Sequence, residues 1–535
     1  MTPRTARLFW QCTALLLALV PSGVQAQLNL TQVSKVPFVN NTNDIWGYTD
    51  PQGTEYVLLG TEAGVSILDI GTPSQPVKKQ FIPGPYSIWR DLKTWSHYAF
   101  VVHDNPYAWN SVPEQGLLII DLDSLNATAK FKTFKPAIPN NAGGYDTLKR
   151  AHNLYIDENG ICYLFGANVG NGGALMFDVA TDPWNPQYVG IYDDYYFHDG
   201  MVRGDTLWGS AVYVGKFCVV DVSNKAAPAL IGQHGTPNSF THNTWISDNN
   251  KTLFCTDEQS AAYVTAYDVS DLNAITELDR IQTSLATGTI PHNAHVYQQW
   301  VVTSYYTSGV QIVDAKYTEL LVEVGYFDTS PNFSGNGFYG NWGAYPYFNS
   351  ELIACSDIEE GLYLLSPEYV QASRVFVEVY DSITKAPMGN VTLKFGLTTN
   401  VVTNIDGEAA QGTHLNGQDT LRINHTGFVA TQLPFSWNAG QFDTLRVALL
   451  NVNNVDVPSF SQRKIELFPN PAQGQVKLAG CPDRTPFTVT NGLGQSVLRG
   501  EVFNEEIPLS VLPAGQFFIQ IQLENGTKVF PLLVQ

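Results

Sequence analysis

Four histidines recur in one context. His152, His198, His242 and His292 each open a short apolar run, in "RAHNLYID", "YFHDGMVR", "FTHNTWIS" and "IPHNAHVY". Imidazoles gathered with carboxylates can ligate a divalent metal or exchange protons near neutral pH. The last stretch also holds His295, three residues beyond His292, a spacing that invites reading as a local ligand pair. On an extended strand, side chains alternate faces with period two, so residues three apart point opposite ways and cannot close on one ion. The HxxH is therefore not a local chelate. The recurring histidines must be judged by what positions them.

Their contexts have relatives in which tryptophan takes the place of histidine: "NDIWGYTD" from Asn43, "SIWRDLKTW" from Ser87 and "GNWGAYPYF" from Gly340. The anchors Trp46, Trp89, His152, His198, His242, His292 and Trp342 are 43, 63, 46, 44, 50 and 50 residues apart. A period near 45 with several short strands per unit is that of propeller blades. The long interval holds two extra loops, "NPYAWNSVPEQ" and "KPAIPNNAGGYDT". After each anchor comes a strand, a second strand, and a third of the form GxxxxD, as in "GVSILD", "GLLIID" and "GVQIVD". The seventh copy stops at "GLYLL", and Leu28–Val39 ("LNLTQVSKVPFV") can supply its missing strand. Such closure leaves no open sheet edge. The expected fold is all-β: a seven-bladed β-propeller followed by two small β-sandwich domains.

If anchors open the innermost strands, they ring one mouth of the central channel. The connections between second and third strands fall on the same face and bring Glu62, Asp104, Asn168, Asp257, Glu258, Tyr305 and Asp357. The candidate binding set is His152, His198, His242 and His292 with Asp44, Arg90, Asp91, Asp199, Asp257 and Glu258. Two readings stay open. Repeated HN, HD and WG pairs can tie strand ends and pack between blades, since repeats reuse one packing unit and buried polar groups need partners. Alternatively, convergent polar groups in a concavity form a ligand site, for which a divalent metal is the cofactor class that suits imidazole and carboxylate. GxSxG and HExxH are absent, no glycine-rich stretch stands between a strand and a helix as a nucleotide-binding loop requires, and His242 with Asp257 and Glu258 is the nearest approach to an acid/base set. The expectation is a binding module, with a metal-dependent hydrolase at the channel mouth as the alternative.

The 535-residue chain carries 49 acidic and 29 basic residues, a net charge of −20. That excess argues against nucleic acid, which needs clustered Lys and Arg. Residues 1–26 read as a secretory signal peptide: Arg4 and Arg7, an apolar core from Leu8 to Val20, and cleavage after Ala26. No other run approaches the ~18 apolar residues of a membrane span, so none is expected after signal removal. Cys162, Cys218, Cys255 and Cys355 sit in apolar strand-like runs, and Cys481 makes the mature count odd. Buried free thiols are expected, and zinc-type Cys spacing is absent.

The motifs also carry resemblances. "GVSILDI", "GLLIIDL" and "GVQIVDA" resemble the LVIVD repeat. With "THNTWIS", "PHNAHVY" and "EVGYFDTSP", the span 27–366 resembles the choice-of-anchor B domain. That family implies an exported protein whose members end in different attachment or secretion signals, and it implies no reaction. Residues 371–450, through "YDSITKAPMGNVTL" and "NIDGE", resemble the carboxypeptidase regulatory-like sandwich. A linker, 451–462, leads to residues 463–535. There "FPNPAQGQVKL", "NGLGQSVL" and "LPAGQFFIQI" resemble the type A sorting domain of type IX secretion. The usual basic residue near the terminus is displaced to Lys528. This resemblance implies a Bacteroidetes-type cell and the type IX machinery as partner. It also implies removal of the C-terminal segment after about Ser461, and a secreted or outer-surface product with an extracellular ligand. Triplets such as "DSL" at 123–125 and "DTL" at 146–148 look like that group's O-glycosylation sites.

Overall fold

The computed structural model describes residues 27–535 apart from 106–112, 126, 128–129, 141, 397–398, 455–463 and 524–525. The expected signal segment, 1–26, and most of the expected linker, 451–462, lie outside the described residues. The chain divides into two compact units, one ending at Val452 and the other spanning Asn453–Gln535.

In the first unit, seven sheets each run antiparallel from an inner strand outward. The inner strands are Thr42–Thr49, Leu92–Trp95, Asn153–Ile156, Asp199–Arg203, Thr241–Ile246, Ala294–Tyr297 and Asn341–Tyr345, and they number blades 1 to 7. Each neighbours the next blade, and Asn341–Tyr345 returns to Thr42–Thr49. The ring is closed by the N-terminus as expected. Leu30–Val36 pairs antiparallel with Gly361–Pro367 as the outer strand of blade 7, and Gln27–Leu28 adds a short fifth strand to blade 6.

The GxxxxD signature has a structural cause at both ends. Gly309 sits at φ +74°, and a Cβ there would lie 2.0 Å from the Phe327 carbonyl oxygen of the outer strand. Only glycine takes that backbone so near another chain segment. At Gly361 (φ +92°) the corresponding oxygen is that of Val36, 2.4 Å from a Cβ. The N-terminal strand thus fills the outer-strand place under the same local rule. The closing aspartates turn back on the chain. Asp69, Asp221, Asp268 and Asp314 accept the backbone N–H two residues on, at 2.8–2.9 Å, the turn geometry Asp favours. Cores between blades are aliphatic and aromatic, such as the group around Leu164, Leu175 and Phe177.

Ser373–Asp381 lies between Glu408–Thr413 and Phe442–Leu449 in one sheet, and a four-stranded sheet centred on Thr392–Phe395 and Gly417–Ile423 forms the other. Val375, Val377, Leu393, Phe395 and Leu421 fill the space between them. This sandwich is tied to blade 6 by a fully buried ion pair, Arg374 Nη1 to Asp314 Oδ2 at 3.3 Å. The second unit is all-β, seven strands around Val476, Leu478, Val489, Ile519 and Leu532. The five cysteines among the described residues are free and buried. Among the described residues, no helix is long and apolar enough to cross a membrane.

Candidate functional site

The anchors form an arc of rings around one mouth of the channel. Consecutive centroids from His152 to His198, His242 and His292 are 4.0, 4.3 and 4.4 Å apart. Trp89 flanks His152 at 6.0 Å, and Trp342 flanks His292 at 4.8 Å. They border a cavity of about 20 Å³ together with Asp44, Arg90, Asp91, Asn153, Asp199 and Asn293. That volume holds a water or an ion, and little more.

Hydrogen bonds fix the imidazole tautomers. His242 Nδ1 donates to the His292 carbonyl at 3.2 Å, and His292 Nδ1 to the Trp342 carbonyl at 2.5 Å. A carbonyl only accepts, so Nδ1 carries the proton and Nε2 keeps its lone pair. His198 Nδ1 leans toward the His242 carbonyl in the same sense but does not reach bonding geometry. His152 Nδ1 meets Asp104 Oδ2 at 3.0 Å. Burial holds the rings neutral: His242 and His292 are pushed down to about 3, chiefly by desolvation and then by neighbouring histidines. His198 lies well below the usual range for the same causes.

Asp91, Asp199 and Asn243, beside their anchors, also join blades. Asp91 Oδ2 accepts from Leu154 N at 3.0 Å, Asn243 Oδ1 from Ala294 N at 3.1 Å, and Asn243 Nδ2 donates to Asp199 Oδ2 at 3.0 Å. Both positions thus tie neighbouring blades, and the histidines also border the mouth cavity. Lys93, which residue types did not single out, sits buried with two carboxylates, 2.6 Å from Asp91 Oδ1 and 3.7 Å from Asp44 Oδ2. Desolvation and then the Asp91 charge push Asp44 well above the usual carboxylate range. Desolvation works most strongly against Asp91 too, but the Lys93 charge together with hydrogen bonds to Asp44, Lys93 and Leu154 outweighs it and holds Asp91 low. Burial raises Asp199 to about 6.

Two expected mouth residues serve the scaffold. The Arg90 guanidinium is buried and donates from Nε to the Thr61 carbonyl at 3.0 Å and from Nη2 to the Pro85 carbonyl at 2.5 Å. Asp257 turns into its own loop: its carboxylate accepts from Thr236 Oγ1, Asn238 N and Phe240 N at 2.5–2.9 Å. Glu258, the next residue, is the one that reaches the histidines. Its Oε2 lies 3.7 Å from His242 Nε2 and its Oε1 3.8 Å from His292 Nε2.

Trp46, expected as an anchor of the mouth, lies one tier deeper, and Asp44 borders the mouth in its blade. The deeper tier is a separate chamber of about 310 Å³ near the far ends of the inner strands. Trp46, Tyr155, Trp245, Tyr345 and Tyr347 wall it, with Lys93, Arg203 and Asp248 among its polar lining. Trp245 and Tyr347 stack at 6.0 Å and 20°, while Trp46 meets Tyr345 edge-on at 5.0 Å. Lys93 Nζ lies over Trp46, 4.4 Å from the ring centroid. His295 belongs to this tier, edge-on to Trp245 at 4.6 Å, with no hydrogen-bond partner for Nδ1. His292 and His295 therefore do not converge.

Residues 466–535 match the Secretion system C-terminal sorting domain family, and residues 206–236 match the LVIVD repeat. The first match makes the protein an exported one, secreted or attached to the cell surface, and implies recognition by type IX machinery. Solved structures with a similar fold include the β-propeller domain of Cps50 (Swd1) from Myceliophteria thermophila. It is 11% identical with a TM-score of 0.41, over 62% of this chain and all of that one. Raptor from Chaetomium thermophilum is 9% identical with a TM-score of 0.45, over 64% of this chain and 30% of that one. No curated protein matches the chain.

Proposed function

We propose that this exported protein works as a ligand-binding module, with a choice-of-anchor B propeller over residues 27–366. In this reading residues 371–450 are a carboxypeptidase regulatory-like spacer, and type IX export acts through residues 463–535. The observation that supports it is the aromatic chamber. Its volume of about 310 Å³ lies within the range of small-molecule sites, about 300–1,000 Å³, which combine apolar walls with few polar groups. Five aromatic rings offer flat faces for the C–H faces of a sugar ring. Arg203 and Asp248, with their ionic groups 3.6 Å apart, offer a donor and an acceptor to its hydroxyls. The ligand class is a saccharide unit.

Saccharide binding to the mature chain, screened on a glycan array and titrated by tryptophan fluorescence, tests this. Trp46→Leu and Asp248→Asn should each weaken binding at least tenfold with the fold retained by circular dichroism. Absence of any saccharide ligand, or equal affinity in both variants, would retire the chamber as the site.

A metal-dependent hydrolase at the mouth is the second reading, favoured by the approach of His242, Glu258 and His292. Against it stands the mouth volume, which admits a water or an ion but no substrate of sugar or peptide size.

A further inference from the structure

We propose that His242, His292 and Glu258 bind one divalent metal ion of zinc type between blades 5 and 6. The inference goes beyond the chamber reading and does not rest on it. His242 lies at the start of the inner strand Thr241–Ile246, His292 just before Ala294–Tyr297, and Glu258 just after Thr252–Asp257. Their ligand atoms all fall within 4.8 Å of one another.

The argument is one of unmatched acceptors. Both Nδ1 atoms donate to backbone carbonyls, so both Nε2 atoms present lone pairs. The group they face is a carboxylate, whose oxygens also only accept, at 3.7 and 3.8 Å. Three acceptors thus converge in a place where both histidines are buried and Glu258 is 15% exposed. Tyr306 OH serves Glu258 Oε1, and among the described residues no donor reaches either Nε2 or Glu258 Oε2. A cation supplies one shared partner to both imidazoles and the carboxylate. Two imidazoles and one carboxylate make a ligand set suited to zinc. Tetrahedral ligands with bonds of about 2.0–2.2 Å stand about 3.3–3.6 Å apart, so the carboxylate–imidazole distances of 3.7 and 3.8 Å close by a few tenths of an ångström, and the remaining ligand separations, within 4.8 Å, by up to roughly 1.4 Å.

The supporting shell has the form metal ligands require. Each imidazole is oriented by a carbonyl at its other nitrogen, and Tyr306 OH donates to Glu258 Oε1 at 2.6 Å; such partners fix ring and carboxylate orientation. Both histidines line the cavity of about 20 Å³, which leaves room for one water on the ion.

The test uses the mature chain stripped with a chelator, then titrated with Zn²⁺ by calorimetry and with Co²⁺ by visible absorption. One ion per chain is expected, with a Co²⁺ spectrum of four-coordinate intensity and a higher melting temperature. Glu258→Gln keeps the volume and the Tyr306 hydrogen bond, and should lower affinity at least 100-fold while melting like the metal-free parent. Tyr306→Phe should lower it about tenfold, the smaller effect of an outer partner. His97, Asp121 and Asp123 form a second, more exposed grouping, so His97→Gln is the control and should leave the ion bound. No binding at micromolar Zn²⁺, or unchanged affinity in Glu258→Gln, overturns the proposal, as does loss of the ion in His97→Gln alone. Saccharide binding measured with chelator present reports on the chamber separately.

Discussion

Replacing Leu30 by Ala tests whether the N-terminal strand closes the ring energetically as well as geometrically. Leu30 opens the strand Leu30–Val36, is 2% exposed, and packs among Trp300, Ile312, Val322 and Val324 at the junction of blades 6 and 7. Its Cδ1 would lie 2.8 Å from a Cβ placed on Gly325, so the space is filled and the neighbouring backbone has little room to collapse inward. Truncating a fully buried Leu loses its transfer free energy and leaves a cavity, together about 2–5 kcal/mol. The tight surroundings place this site in the upper half of that range. Removing Gln27–Val36 should cost more. Six residue pairs with Gly361–Pro367 disappear, worth about 3–9 kcal/mol at 0.5–1.5 kcal/mol per hydrogen bond. The bared edge then invites pairing between molecules. Denaturant titration followed by tryptophan fluorescence reads the first variant, and light scattering on warming reads the second. Val39→Ala, at a fully exposed position, is the control and should stay within about 0.5 kcal/mol of the parent. If Leu30→Ala also stays within that margin, and the deletion neither destabilises nor aggregates, the closing strand is dispensable and the reasoning fails.

Two further outcomes follow from buried charge. Burial pushes the Asp357 carboxyl up to about 7, above its unfolded value near 3.9. The folded state therefore holds this proton more tightly, and its contribution is most favourable at low pH and declines as pH rises from about 4 through 7. At ~1.4 kcal/mol per pKa unit the decline between pH 5 and 8 amounts to about 2–3 kcal/mol. Asp357→Asn should flatten the stability profile by that amount in denaturant melts; an unchanged slope would show that the carboxylate is ionised in the fold. Arg374→Leu leaves Asp314 buried without its guanidinium, which also donates to the Asp314 and Leu320 carbonyls at 2.8 and 3.0 Å. A loss of about 3–5 kcal/mol is expected, with partial recovery in Arg374→Leu/Asp314→Asn measured by a double-mutant cycle; no recovery would mean that the cost lies in packing.

The architecture was legible because its rules are local. The recurring glycine is forced by a positive φ against an outer-strand carbonyl, and the aspartate five residues later closes the following turn. Both needs repeat in the sequence wherever they repeat in space. The mouth was legible to the extent that position and residue type coincide. Histidine occupies it in four blades, but tryptophan occurs in both channel tiers, so matching Trp46 to the histidines by type displaced blade 1 by one tier. A register shift between Thr42 and Ile45 marks the irregular start of that strand, and the sequence carries no signal for it. Lys93 was missed for the related reason that its tier holds tyrosine, tryptophan and histidine in other blades.

The chamber was not legible at all, since its walls come from Trp46, Tyr155, Trp245, Tyr345 and Tyr347, one aromatic per blade or two, none adjacent to its partner in sequence except through Pro346. This bears on the HxxH that drew attention to blade 6. An inner strand rises about 3.3 Å per residue, so positions three apart stand about 10 Å apart along the channel. That is the distance from a mouth to a second tier, and too far for one ion. The same spacing recurs with another aromatic in place of the second histidine, as His242 and Trp245, and as His152 and Tyr155. The spacing stacks two tiers on one axis: an upper ring of imidazoles, where the ion is proposed, and a lower ring of aromatic faces, where the saccharide is proposed. His295 backs the lower ring, packed edge-on against Trp245 and Tyr347.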